Sequence, residues 1–227
     1  MANYEHLAIL QAGAIAWVEW RRKNSQVEPD FSLANLRTAN LKQADLSSAN
    51  LIGCDLSNAN LEDALMHQAN LIGTNLSAAN LRKADLGGAK LHRANLSFAN
   101  LISANLIGCD LRGANLHEAE LIAAYLYQAN LHKANLTQAH LIHAHLLRVN
   151  FSEADLNKAD LRWTNLSGAN LAGASLINAR LSGANLRGAN LAGANFRGVK
   201  DIFLQQVQVA ENWELAEYDE DFHLSKI

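Results

Sequence analysis

From Phe31 to Phe196 a large apolar residue stands at every fifth position, thirty-four times without an insertion or deletion. Phe31, Met66, Phe151 and Phe196 are the only centres that are not leucine. Two residues before nearly every centre stands something small, usually alanine, and the residue between is usually Asn or Asp. An α-helix repeats every 3.6 residues and a strand every 2. A period of five fits neither, and no ordinary strand runs this long. The pattern predicts a repeat solenoid, in which each unit buries its apolar residue against its neighbours.

The pattern also divides the chain. Residues 1–29 form an N-terminal capping helix and its connection. Residues 30–200 are the array, and residues 201–227 a C-terminal capping helix with an acidic tail. Within the first segment, residues ~4–23 read as one amphipathic helix with Leu7, Leu10, Ala14, Trp17 and Val18 on one face. Arg21, Arg22 and Lys23 close it where cations suit the helix dipole. Its apolar run is too short to span a bilayer, and its basic residues follow that run, the wrong order for a secretory signal. A cytoplasmic protein is expected. Residues ~203–217 read as a second helix, with Leu204, Val207, Trp213 and Leu215 as its apolar contacts.

Units such as ANLSA, ADLGG and ANLRG resemble the pentapeptide-repeat family over roughly three quarters of the chain. The flanks AWVEWRRKN and AENWELAEYD are similar to those of its cyanobacterial members. The resemblance implies an all-β solenoid: a right-handed quadrilateral parallel β-helix of about 8–9 coils, four units to a coil, capped by a short α-helix at each end. At the usual spacing of stacked strands the rod would be roughly 40 Å long. In that shape leucine fills the axis, the small residue lets the corner close, and Asn or Asp bonds the backbone at the turn. Eleven of the thirteen glycines occupy the second position after a centre, which suits a turn of positive φ. The unit Ala64-Leu65-Met66-His67-Gln68 puts Leu in the Asn/Asp slot. Either a local distortion or an exposed Leu65 is expected there.

Charge narrows the functions. The formal net charge is −3. Residues 30–200 hold fifteen Lys or Arg against twelve Asp or Glu, while residues 201–227 hold seven acids and one lysine. Some family members resemble a B-form duplex and bind DNA gyrase, which makes a gyrase-directed DNA mimic the alternative function. A near-neutral rod does not reproduce a duplex carrying one charge per ~1.7 Å. Direct nucleic-acid binding also lacks support, because the densest basic run, Arg82, Lys83, Lys90 and Arg93, has no interleaved aromatics. Cys54 and Cys109 take the small-residue slot and read as buried hydrophobes.

Function is left to the outward positions. Stacked twenty apart, one column holds Ile102, Ile122 and Ile142, and the next holds Ile107, Tyr127 and Leu147, all expected to face solvent. The Asn/Asp slot fails in the same coils, at Glu120, Tyr125, His140 and His145, and His143 is expected to stack under Trp163. One reading is a protein-binding patch of apolar anchors with a polar rim. The other is that the branched ladders only stabilise stacked strands. His132, His140, His143 and His145 match no metal-site spacing. Glu120, His140, Asp160 and Arg180 read instead as a surface charge ladder. A filled rod offers no concave catalytic site, and no nucleophile–base or phosphate-loop motif is present. The expectation is a non-enzymatic, monomeric scaffold for an unidentified protein partner, with no cofactor, metal, nucleic acid or membrane.

Overall fold

The computed structural model describes residues 2–220 and 222, the side chain of Ala14 excepted. Each five-residue unit makes one tight turn and one single-residue parallel bridge. The turn closes from the centre to the third residue beyond it. Ala119 N–H, for example, donates to the Leu116 carbonyl at 3.0 Å. In every unit the second residue after the centre lies in the left-handed region, with φ from 52° at Glu118 to 70° at Gly183 and Gly198. Glycine therefore takes positions the fold already requires to be left-handed. The other twenty-three units hold an L-residue there, at about 1–2 kcal/mol each.

Bridged residues lie twenty apart, from Asp30 with Asn50 to Arg180 with Lys200. Four units thus complete one coil, and the rod has four faces. The first carries the bridging residues Asp30, Asn50 and Asn70, the second Asn35, Asp55 and Asn75, the third Asn40, Asn60 and Asn80, and the fourth Asp45, Leu65 and Asp85.

A unit in mid-rod shows how the backbone is satisfied. Leu116 N–H donates to the Asn135 carbonyl at 2.7 Å and Glu118 N–H to that of Thr137 at 3.0 Å, both in the next coil. Asn115 N–H reaches back to the Ala94 carbonyl at 2.9 Å. The remaining amide, His117 N–H, donates to Asn115 Oδ1 at 3.2 Å. The Asn/Asp slot exists for this last bond, because no neighbouring coil offers an acceptor to that amide. The asparagines also bond along the rod, Asn135 Nδ2 to Asn115 Oδ1 at 3.0 Å and Asn115 Nδ2 to Asn95 Oδ1 at 3.2 Å.

The centres form a continuous buried column, and the small residues beside them are buried too, except Ala39 and Val199 near the ends, which are half-buried. Cys54 and Cys109 are buried in the small slot, and burial pushes both thiols up to about 12. They carry no thiolate at neutral pH and are inert packing groups. Leu65 resolves as exposed, at 44%. Its bridges to Asp45 and Asp85 keep the ordinary register, so the unit is not distorted.

Both ends differ from the expected single helices. The N-terminal segment is two helices, α1 (Tyr4–Gln11) and α2 (Ala14–Lys23), broken where Gly13 takes φ 110°. The break lets both helices reach the first coil. His6 Nδ1 accepts the Asp30 amide at 3.1 Å, and Trp17 Nε1 donates to the Asp45 carbonyl at 2.9 Å. Arg21 bonds Asp45 Oδ2 at 3.2 Å and the Ser47 carbonyl at 3.4 Å. These side chains satisfy sheet-edge groups that a single straight helix would leave open. Leu10 and Trp17 are buried as expected, whereas Val18 is exposed.

The expected C-terminal helix over 203–217 is a single turn, α3 (Leu204–Val207), and a 3-10 turn, Trp213–Leu215. Between and beyond them the chain pairs like a further coil, Asn190 with Glu211 and Asn195 with Glu217. An extended segment can take the last coil's edge amides, which a helix cannot. Gln206 Nε2 bonds the Leu181 and Ala184 carbonyls at 2.9 and 2.8 Å. Val207 is buried and Leu215 is exposed. Of the acidic tail, residues 221 and 223–227 lie outside the described residues. Among the described residues no helix is long and apolar enough to cross a membrane.

Leu116 is wholly buried in mid-column, so Leu116→Ala should lower the unfolding free energy by about 2–5 kcal/mol. Denaturant titration followed by circular dichroism measures this, and a loss below about 1 kcal/mol would contradict a packed column.

Candidate protein-binding surface

The departures from the repeat converge on the third and fourth faces and the corners on either side of the fourth. Ile102, Ile122 and Ile142 stand one above another in the turns that lead from the third face to the fourth. Ile107, Tyr127 and Leu147 stand in the turns that leave the fourth face. Between these ridges runs the strip Asn105, Tyr125 and His145, bridged in succession. Successive members of each ridge are one coil apart, about 4.8 Å.

The surface is less exposed than the sequence suggests. Ile107 and Tyr125 are exposed at 41% and 45%, and Trp163 at 59%. Ile102, Ile122, Ile142, Tyr127 and Leu147 are half-buried, because stacked side chains cover one another. Their outer edges remain open.

The slot residues do not sit at corners; they are the bridging residues of the faces. Tyr125 and His145 stack in parallel, with ring centroids 4.7 Å apart and planes 1° apart. The signal for that stack was two rings twenty residues apart in one slot. Glu120 Oε1 and His140 Nδ1 are 2.7 Å apart. Of the expected charge ladder the Glu120–His140 and Asp160–Arg180 rungs form, and the His140–Asp160 rung does not among the described residues, for Asp160 takes Arg162 as a second partner. Arg162 Nη2 lies 2.6 Å and Arg180 Nη1 3.4 Å from Asp160 Oδ2. Burial opposes ionisation of Asp160, but the Arg162 hydrogen bonds and the charges of Arg162 and Arg180 outweigh it and hold the carboxyl below its usual value.

His143 and Trp163 share a column but make no ring contact among the described residues. Trp163 leans the other way, over Gly183, where an added Cβ would come within 2.6 Å of Trp163 Cζ3. The missing side chain of Gly183 gives the indole its seat, and a flat ring prefers that shelf to the edge of an exposed imidazole.

Replacing Asn or Asp has a second effect. Glu120, Tyr125, His140 and His145 do not reach round to the next amide but one. The N–H groups of Ile122, Tyr127, Ile142 and Leu147 therefore have no acceptor among the described residues. Elsewhere along the rod such amides are scattered singly, at His67, His92 and Ser182, behind Leu65, Lys90 and Arg180. Where Ser175 replaces Asn, the coil before supplies a substitute, and Ile177 N–H donates to Asn157 Oδ1 at 2.8 Å. The four-amide cluster is invisible in the hydrophobic pattern and follows only from which side chains fail to cap.

No three of His, Cys, Asp and Glu converge as metal ligands among the described residues. A polar cleft of about 510 Å³ lies between Glu28, Asn50, Gln68 and Lys90. An apolar one of about 330 Å³ lies where Leu10 and Gly13 meet Leu36 and Leu41. Among the described residues no hydrogen bond joins Ser48, in the lining of the first cleft, to Glu28 or Lys90.

The family model for pentapeptide repeats matches residues 30–68, 59–97, 94–132, 129–168 and 164–200. The chain belongs to the pentapeptide-repeat family. Its coils are those of the right-handed β-helix. It is similar to the solved structure of HetL, a pentapeptide repeat protein involved in heterocyst differentiation regulation from the cyanobacterium Nostoc sp. strain PCC 7120. The two are 40% identical over 73% of this chain and 75% of HetL, with a TM-score of 0.72. It is also similar to Rfr23, a pentapeptide repeat protein from the cyanobacterium Cyanothece 51142, at 34% identity over 47% of this chain and 61% of that one, TM-score 0.21. QnrB1, a plasmid-mediated fluoroquinolone resistance protein, is 16% identical over 85% of this chain and 91% of that one, TM-score 0.42. No curated protein matches.

Two predictions follow the geometry of this pentapeptide-repeat surface. Gly183→Ala should destabilise by about 1–2 kcal/mol, from the left-handed backbone and the displaced indole. In a Trp163→Ala background the same change should cost less, as thermal melts of the four proteins would measure. The depressed Asp160 pKa means that its stabilising effect is complete above its unfolded value, about 3.9, and is lost as pH falls through the folded value. Asp160→Asn should therefore flatten the acid limb of the stability curve below about pH 4, checked by urea unfolding between pH 7 and 2.

Proposed function

We propose that this chain is a non-enzymatic scaffold, a monomer of the cytoplasm, that presents the fourth face and its corners to a protein partner. The observation that carries this reading is the concentration of departures. Two apolar ridges, an aromatic strip and four uncapped amides all fall within the coils from Ile102 to Trp163. A ladder that only stabilised stacking would account for the half-buried isoleucines. It would not account for the exposed Tyr125, Ile107 and Trp163, nor for the loss of Asn at four neighbouring slots. Binding energy at such surfaces concentrates in a few apolar and aromatic anchors.

The likeness to HetL supports a regulatory role, in which a rigid surface is recognised without chemistry being done on it. The rod needs no cofactor for this. A gyrase-directed DNA mimic is the weaker reading, because the array carries slightly more base than acid.

Affinity capture from the native cell extract tests the proposal. The Ile122→Glu/Tyr127→Glu double variant should lose at least tenfold of the captured partner while keeping the native circular dichroism spectrum. Undiminished capture by that variant would reduce the ridges to a structural role.

A further inference from the structure

We propose that the fourth face and its corners take an acidic segment of the partner, one that sets carboxylates and apolar side chains side by side. This rests on the docking reading above and adds the chemistry of what docks.

What sets the backbone of this surface apart from the rest of the rod is its unpaired donors. The amides of Ile122, Tyr127, Ile142 and Leu147 have no acceptor among the described residues. The isoleucine ridge continues into an arginine at each end, Arg82 one coil before Ile102 and paired with Glu62 at 3.5 Å, and Arg162 one coil after Ile142 and paired with Asp160 at 2.6 Å. Lys83 and Arg148 stand in the corner columns beside the ridges and Arg187 in the Ile107 column, two coils beyond Leu147, all three exposed and without an ion pair among the described residues. Across the third and fourth faces, residues 82–187 hold six basic side chains, those five and Arg180, against three acids, Asp85, Glu120 and Asp160.

All three acids are already engaged. Asp85 Oδ1 accepts Asn105 Nδ2 at 2.8 Å and Gly87 N–H at 3.1 Å. Glu120 holds His140, and Asp160 holds two arginines. Asp85 has no cationic partner among the described residues, but the two faces keep an excess of three basic side chains over acids. The first and second faces differ. Over the same span they hold five basic residues and four acids, and the amides there are capped, as at His117, His132, Thr137 and Ser152, with His92 the one exception among the described residues.

A carboxylate laid against an uncapped amide makes a charge-assisted bond in place of a bond to water. Beside half-buried isoleucine, where the local dielectric is low, that bond is strengthened. A basic partner would meet repulsion from the arginines. A neutral apolar one would bury the four amides unpaired.

The test is selection of a random displayed peptide library on the full chain. The expected outcome is enrichment of peptides with net negative charge that also carry Leu, Ile or aromatic residues. The best of these, synthesised, should bind at least fivefold more weakly to the Glu120→Asn/His140→Asn variant, which restores caps for Ile122 and Ile142. That variant also removes a negative charge, so an attraction made of net charge alone would instead tighten. Because it restores the repeat, it should melt no lower than the native chain.

Enrichment of neutral or basic peptides would overturn the proposal. So would recovery of none, unchanged binding by the variant, displacement of the peptide by a single-stranded oligonucleotide, or self-association through this face in light scattering. Neutral peptides together with loss of partner capture in the Ile122→Glu/Tyr127→Glu protein would leave the docking reading standing and remove only the acidic assignment.

Discussion

A left-handed residue at every fifth position is what squares this chain. It closes each turn, brings the next unit round by a quarter of a coil, and lets residues twenty apart meet as bridges. For twenty-three L-residues the conformation is intrinsically unfavourable, so something must hold it. Four of the five amides in a unit bond to neighbouring coils or across the turn, and the leucine column excludes water from the axis. The fifth amide depends on the Asn or Asp side chain beside the centre. The consensus is the list of conditions under which a square coil leaves no backbone donor unpaired.

That accounting gives departures a meaning. Where Leu65 or Ser175 replaces the capping residue, the effect is local, and at Ser175 Asn157 compensates. Between Glu120 and His145 the cap is lost on two faces over two coils, and the side chains that replace it pair with each other, Glu120 with His140 and Tyr125 with His145. Those pairs stabilise the stack but cap nothing. The resulting combination of open amides, apolar ridges and surrounding arginines is chemically distinct from the rest of the rod, although the backbone runs through it without a change of register.

Much of the rod was legible in the residues. The period, the buried centres, the small slot with its two cysteines and the left-handed glycines all follow from one unit repeated, and each bears out in the coils. The column of Ile102, Ile122 and Ile142 could be read by counting in twenties. The contacts within the candidate surface were less legible. Counting placed Trp163 beside His143, but the indole chose Gly183, because a side chain at a corner can lean towards either neighbouring coil and only the free volume decides. Counting likewise joined His140 to Asp160, whereas Arg162, in the turn just beyond, reaches Asp160 first.

The sequence by itself determined the coil, because a strict local repeat makes every unit's environment the same, and each unit needs only its neighbours to satisfy its backbone and bury its leucine. The tertiary structure alone decided the ends and the surface. At the ends the repeat stops, and open amides and carbonyls must be met by whatever the flanks can bring. This breaks the first helix at Gly13 and draws much of the C-terminal segment into an irregular further coil. On the surface, side chains have room to choose partners, so packing and hydrogen-bond geometry set the outcome where periodicity no longer constrains it.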